Sequence, residues 1–544
     1  VIVGLIGLFA SFLFLSQFLS NYTNNLLKDK LSKNPNLLYH ITYDNMELNI
    51  LKGEITLSKI KMVIDTNYAD SLKKLNNYPH TLYSGAVSSL KLTGINAFDI
   101  YWNKVIQVNT LLIHQPEVEL LLTHSEDTIM PNNFMAGEGI KEILEYLNHS
   151  KINSVSLVNG RLKVNSEIGK EIRAIGQADS FNLKVLNFEI DSTNNQQPYL
   201  VEEVNISFKN AEFDLSQDYF MKLGKFQLSL SDSNLIAKDF KLIPKKSIEQ
   251  FSKNKTFRKT RVNIVIPHLM GTKIDFNSII FSGVINIGLV EITDGNFDFF
   301  KDMTKDWRGK KTFSTPHEML KMIPFPLHIA QVQFENTKIL NQQLVEIKKP
   351  LAELFIENGN FNLANITNDS TQLGKNNLME LVLDIRIMNT TTLKGFGVFN
   401  LSNTNQNFEL EFNISKTKLE PFNPLLKSFM HLEVTSGELN SGKIVLQGSK
   451  YKIKGTCELE YSNASLSFEQ KKKGLFSKLK TGVLNGIANT TIRNNNEKTD
   501  PKFKIGEIDY NYDKKLPFIR NVWLSTQLGI VDVIIPFSPK ASKR

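Results

Sequence analysis

Apolar side chains recur at every second position over most of this chain. Val204, Ile206 and Phe208 alternate with polar residues, as do Leu381, Leu383, Ile385 and Ile387, and Phe408, Leu410, Phe412 and Ile414. Successive side chains of a strand point to opposite faces. A period of two therefore demands strands with one buried face and disfavours amphipathic helices over the same stretches. Asn159-Gly160, Asp294-Gly295, Asn358-Gly359 and Ser436-Gly437 punctuate the pattern. Such pairs supply the positive φ of tight hairpins. The pattern predicts a mainly β, antiparallel body of about 20–30 strands, each of about 5–6 residues.

The first twenty residues, VIVGLIGLFASFLFLSQFLS, break that period and carry no charge. A helix of this length crosses a hydrocarbon core of about 30 Å. A cleaved signal has a shorter apolar run of about 7–15 residues and a small-x-small site, which is missing here. The run predicts an uncleaved transmembrane anchor over residues 1–20. A short juxtamembrane helix is expected over 21–34, its apolar edge formed by Leu26, Leu27 and Leu31 and its end set by Pro35. Those three leucines are candidates for an entry collar at the membrane.

The chain also carries an internal duplication. Residues 111–121, LLIHQPEVELL, align with 290–300, VEITDGNFDFF, at an offset of 179. Residues 154–162 align with a segment inside 330–339 at an offset of about 177. Between the paired segments each copy has a polar gap and a short helix, expected at 138–147 and at 316–323, the second with Ser314 and Thr315 as candidate N-caps. The duplication divides the body into a first β unit over 35–260 and a second over 261–425. A C-terminal β segment over 426–544 contains a basic amphipathic helix at 471–492. In that helix Lys471, Lys472 and Lys473 precede Leu475, Phe476 and Leu479, a composition suited to a membrane surface.

Little in the sequence points to catalysis. The histidines stand at no metal-ligand spacing with a partner, and no phosphate-cradling glycine loop or nucleophile elbow occurs. Asp294-Gly295-Asn296 lacks the further acidic ligands of a calcium loop. Cys457, the single cysteine, lies in an alternating strand and reads as packed rather than reactive. The net charge of +9 is spread along the chain, which suits mild attraction to anionic lipid heads better than nucleic-acid binding. The expectation is a non-enzyme without cofactor or metal.

The apolar anchor, the strand pair LNILKGEITLSKI, the units LVNGRL, EITDGNF and IENGNF, and the stretch SGELNSGKIVLQGSKYKIKG resemble the AsmA-like proteins, relatives of TamB and of bridge-like lipid-transfer proteins. The resemblance implies an elongated, curled β-groove carrying acyl chains of phospholipid or another lipid. It implies an inner-membrane anchor with the bulk of the chain in the periplasm, and a role in lipid transfer or outer-envelope maintenance. A periplasmic or outer-membrane protein partner would meet the far end. On that reading Val204, Ile206, Phe208, Phe408, Leu410 and Phe412 line the groove. A non-catalytic envelope scaffold that binds proteins is the alternative.

Overall fold

The computed structural model describes residues 38–49, 53–75, 78–79, 81–95, 107–123, 150–168, 171–190, 199–306, 312–347, 349–430, 432–468 and 493–535. The expected anchor (1–20), the collar leucines Leu26, Leu27 and Leu31, the helix at 138–147 and the basic helix with Lys471, Lys472, Lys473, Leu475, Phe476 and Leu479 lie outside these residues. Among the described residues no helix is long and apolar enough to cross a membrane. The protein is mainly β and divides into two compact units, 1–240 and 241–544.

In the first unit, β1 (Tyr39–Thr42) and β2 (Asn45–Asn49) lie end to end along β3 (Glu54–Ile64). Helix α1 (Thr66–Lys74) follows β3 and is capped by Asp65, whose other oxygen meets His40 at 2.7 Å. β4 (Thr81–Thr93) pairs with β3. Its other edge takes β5 (Gln107–His114) and β6 (Glu117–Leu122), again end to end. Both run parallel to β7 (Ser150–Ile168). β8 (Glu171–Ile190) pairs with β7, then with β9 (Tyr199–Leu200) and β10 (Glu203–Asp214), and β11 (Tyr219–Ser229) pairs with β10. β12 (Asn234–Pro244) spans the boundary between the units.

The second unit repeats the scheme. After α2 (Ile248–Lys253), β13 (Thr260–Ile274) pairs antiparallel with β14 (Ile285–Thr293) and β15 (Asn296–Asp302), which lie end to end and run parallel to β16 (Leu327–Leu344). The crossover carries α3 (Pro316–Lys321). Thr315 caps it in a reciprocal box with Glu318. β17 (Ala352–Thr367), β18 (Leu378–Ile387), β19 (Thr391–Asn400) and β20 (Phe408–Ile414) then follow antiparallel, with α4 (Ser370–Lys375) between β17 and β18. β21 (Thr417–Lys418), helix α5 (Asn423–Met430), β22 (Leu432–Gly448), β23 (Lys452–Phe468), β24 (Gly506–Asn511) and helix α6 (Phe518–Ile534) complete it. β22 pairs with both β20 and β23, so the strands after residue 425 extend the same sheet.

Two expectations need correction. The sheets are mixed rather than antiparallel, because each copy of the duplicated unit returns by a crossover into a parallel strand. Asn159-Gly160, Asn358-Gly359 and Ser436-Gly437 are bulges inside long strands, and Asp294-Gly295 is the break at which β14 passes into β15 end to end; none is a hairpin turn. Asn159, Asp294 and Asn358 alone take positive φ (54°, 58° and 48°), and in Ser436-Gly437 the glycine does. A type I′ hairpin needs two such residues in succession, whereas a bulge needs one. Strands therefore run on, up to the 20 residues of β8.

The duplication recurs atom for atom at these positions. Gln115 N donates to Val158 O at 2.9 Å, and Asp294 N to Glu335 O at 3.0 Å. Arg161 N donates to Pro116 O at 2.7 Å, and Lys338 N to Gly295 O at 2.8 Å. Asn159 N and Asn336 N each donate to an asparagine side chain on the next strand, Asn182 and Asn360.

Candidate functional site

In each unit the described, paired strands form a single sheet, so among the described residues a strand's apolar face is covered by curling of that sheet or by helices. The second unit shows both outcomes along one row of cross-strand neighbours. Ile292 pairs with Phe334, Phe334 with Phe361, Phe361 with Leu383, and Leu383 with Gly395. The row continues through Phe412 and Ile444 to Cys457. Phe334, Phe361, Leu383 and Phe412 are half-buried, whereas Ile444 and Cys457 are buried. From β16 to β20 this half-buried stretch spans four strand spacings, about 19 Å.

Aromatic rings line its start. Phe334 stands edge-on to Phe297 at 6.2 Å and to Phe361 at 6.1 Å. Gly395 lets the row continue past β19: a Cβ there would lie 2.8 Å from Leu383 Cγ and 3.0 Å from Phe412 Cδ1. Leu383 and Phe412 thus approach each other across an intervening strand.

Helix α6 closes the other end. Gly529 lies where a Cβ would meet Cys457 Cβ at 2.5 Å, so the helix backbone sits directly on β23 and β24. Phe518 packs on Phe408 at 5.0 Å and on Phe399 at 5.8 Å. Asn521, fully buried, fixes the start of the helix: its amide donates to the Asp513, Leu516 and Pro517 carbonyls and its oxygen accepts from Tyr510 OH and Asp513 N. Helix α5 lies against both β17 and β22. Leu426 and Phe429 of α5 join Val531 and Ile535 in one apolar cluster.

The candidate groove residues divide accordingly. Phe408 and Leu410 are 4% and 5% exposed in the core beside α6, which removes them from an accessible lining. Phe412 packs at the margin of that core. In the first unit, Ile113, Leu157 and Leu183 form a buried row, and its next members, Ile206 and Leu228, are half-buried. Val204 and Ile206 lie at the edge of this core, and Phe208 stacks on Phe226 at 4.8 Å. All three are half-buried. The opposite face of the same strands is polar, as where Arg161 meets Glu117 at 3.1 Å and Asp179 at 3.3 Å.

Among the described residues no three of His, Cys, Asp or Glu stand together as metal ligands. Burial pushes the Cys457 thiol up to about 12, with the Asp532 charge adding to it. His317 of α3 is 2% exposed and edge-on to Phe399 at 6.0 Å; desolvation holds its pKa below the ordinary value, against the backbone of Asn407 and Asn400, which acts to raise it. Gln406 ties the same helix down by accepting from Thr315 Oγ1 and donating to Glu318.

The sequence reading missed α6 within its C-terminal β segment. The signal was present: Pro517 precedes Phe518, Val522, Ser525 and Gly529, one helical face at i, i+4, i+7 and i+11. The chain matches no family model and no curated protein.

Proposed function

We propose that the open apolar face from β16 to β20 holds the acyl chain of an amphipathic lipid, in a non-catalytic carrier tethered to a membrane by residues 1–20. One observation carries the reading. An apolar row that is fully covered at one end stays half-buried over Phe334, Phe361 and Leu383, where no second sheet lies among the described residues. A sheet gains stability by covering such side chains, so a long stretch left only half-covered marks a surface shaped for an apolar occupant. Its length of about 19 Å is on the scale of one extended acyl chain. The resemblance to AsmA-like proteins and the uncharged first twenty residues support placing the carrier at an inner membrane, with its bulk in the periplasm and a role in lipid transfer or envelope maintenance.

A photo-crosslinking amino acid tests this. Placed at Phe334 or Phe361 in the full chain extracted from membranes, it should yield phospholipid adducts by mass spectrometry. Placed at Glu335, exposed on the same strand, it should yield none. Equal labelling at all three positions, or none at any, refutes the acyl reading; protein adducts at Phe334 would support the scaffold instead.

A further inference from the structure

One end of the sheet in the second unit carries exposed apolar side chains on a backbone that is firmly held. Strand register brings three connections to that end: Ile285 of β14 pairs with Leu327 of β16, and His328 of β16 with Thr367 of β17. The helical turn Ser278–Ser282 leads into β14, helix α3 and the loop 322–326 lead into β16, and helix α4 follows β17. From β14 to β17 is two strand spacings, about 10 Å. Ile280, Met319, Met322 and Phe325 are exposed on these connections, Met322 to 72%.

The loop is shaped by hydrogen bonds rather than by burial of those side chains. One amide, that of Asn368, donates to the Leu320, Ile323 and Phe325 carbonyls at 3.2, 3.2 and 3.0 Å, and its oxygen accepts from Leu327 N at 2.6 Å. Pro326 O accepts from Ile285 N at 2.9 Å, and Met322 N donates to Glu318 O at 3.0 Å. Pro324 and Pro326 bring no N–H at all. Unpaired backbone groups are expensive in an apolar medium, so a loop with these groups already bonded can enter one at little cost. The charges at this end divide by role. Asp275 accepts from Ser278 N, Glu318 from Thr315 N and Gln406, and Asp369 from Gln372 N, so these carboxylates serve as caps. Lys321 and Lys375, in the last turns of α3 and α4, are exposed. An apolar tip flanked by lysines complements an anionic bilayer interface, where apolar burial and attraction to lipid heads add.

We propose that this end of the second unit, with Met322 and Phe325 at its tip, docks on the surface of a bilayer containing anionic lipid. The contact is separate from residues 1–20 and does not depend on the acyl reading.

Quenching by nitroxide-labelled lipid tests it in the full chain reconstituted into vesicles. A fluorophore is attached at Met322→Cys or Phe325→Cys, with Glu335→Cys, exposed farther along β16, as the control and the unsubstituted chain as the blank for Cys457. Vesicles of phosphatidylcholine with phosphatidylglycerol should quench the first two severalfold more than the third. Phosphatidylcholine alone, or Lys321→Gln with Lys375→Gln, should weaken the docking equilibrium read from that quenching about tenfold or more, the scale of two lysines near an anionic surface. If Phe325→Cys shifts the urea midpoint, the fully outward Met322→Cys carries the test. Quenching at Met322 no greater than at Glu335 overturns the docking surface. Quenching that ignores both phosphatidylglycerol and the two lysines overturns the anionic preference. Energy transfer between labels on two copies, without nitroxide quenching, identifies a second copy as the occupant and overturns the bilayer.

Discussion

Replacing the same side chain at the two ends of the apolar row separates an open face from a closed core. Phe408 is 4% exposed, faces Phe399 and Phe518 at 6.1 and 5.0 Å, and lies over Gly448. Phe408→Ala deletes a ring from a site walled on all sides, and truncations of this kind cost about 3–5 kcal/mol because the cavity collapses only in part. Phe334 is half-buried and keeps two edge-on ring neighbours. Phe334→Ala loses roughly 1–2 kcal/mol of burial and a few tenths to about 1 kcal/mol of ring contact. It leaves no sealed cavity, since solvent reaches the site. The expected gap between the variants is therefore about 2 kcal/mol. Urea unfolding of the full chain reads it. Trp523 in α6 reports on the second unit, in a background where Trp102 and Trp307 are changed to Phe. Equal losses for the two variants would show that Phe334 is sealed as Phe408 is, and the open-face argument would be wrong.

Three further outcomes follow from the same geometry. Asn336→Val places a β-branched residue at φ 50° and should cost about 1–2 kcal/mol, while Asn336→Gly should cost little; urea midpoints compare them, and equal effects would remove the backbone explanation. Burial holds the His317 pKa in the folded chain below its ordinary value, whereas in the unfolded chain it titrates at about 6.5. The unfolded state then binds more protons, so stability is full above about pH 6.5 and falls as pH drops below it; melting at pH 7.5 and 5.5 should show this loss, and His317→Phe should lessen it. Cys457, fully buried with its thiol raised to about 12, should resist maleimide until α6 or β23 opens, and labelling in native buffer as fast as in urea would contradict the packing.

Much of the architecture was legible because strands betray themselves locally. The alternation at 204–208, 381–387 and 408–414 marks real strands, and the offsets of 179 and 177 mark a real structural repeat. Ser314 and Thr315 were both readable as candidate caps from their chemistry, and the structure uses Thr315. The Asn-Gly and Asp-Gly pairs were readable as positive-φ positions but not as bulges or end-to-end breaks. A single residue at positive φ serves a turn or a bulge, and only the register of the neighbouring strand separates the two.

The site divides along the same line. The sequence by itself determined which residues share an apolar face: Val204 with Ile206 and Phe208, and Phe408 with Leu410 and Phe412, since alternation is a property of one strand. It did not determine which of these faces stays open. Phe408 and Leu410 have the same periodicity as Ile206, yet they lie in a core beside a helix that begins about 110 residues later, at Phe518. Cover comes from chain segments distant in sequence, so only the tertiary structure decided where the apolar row is closed and where it stays half-buried.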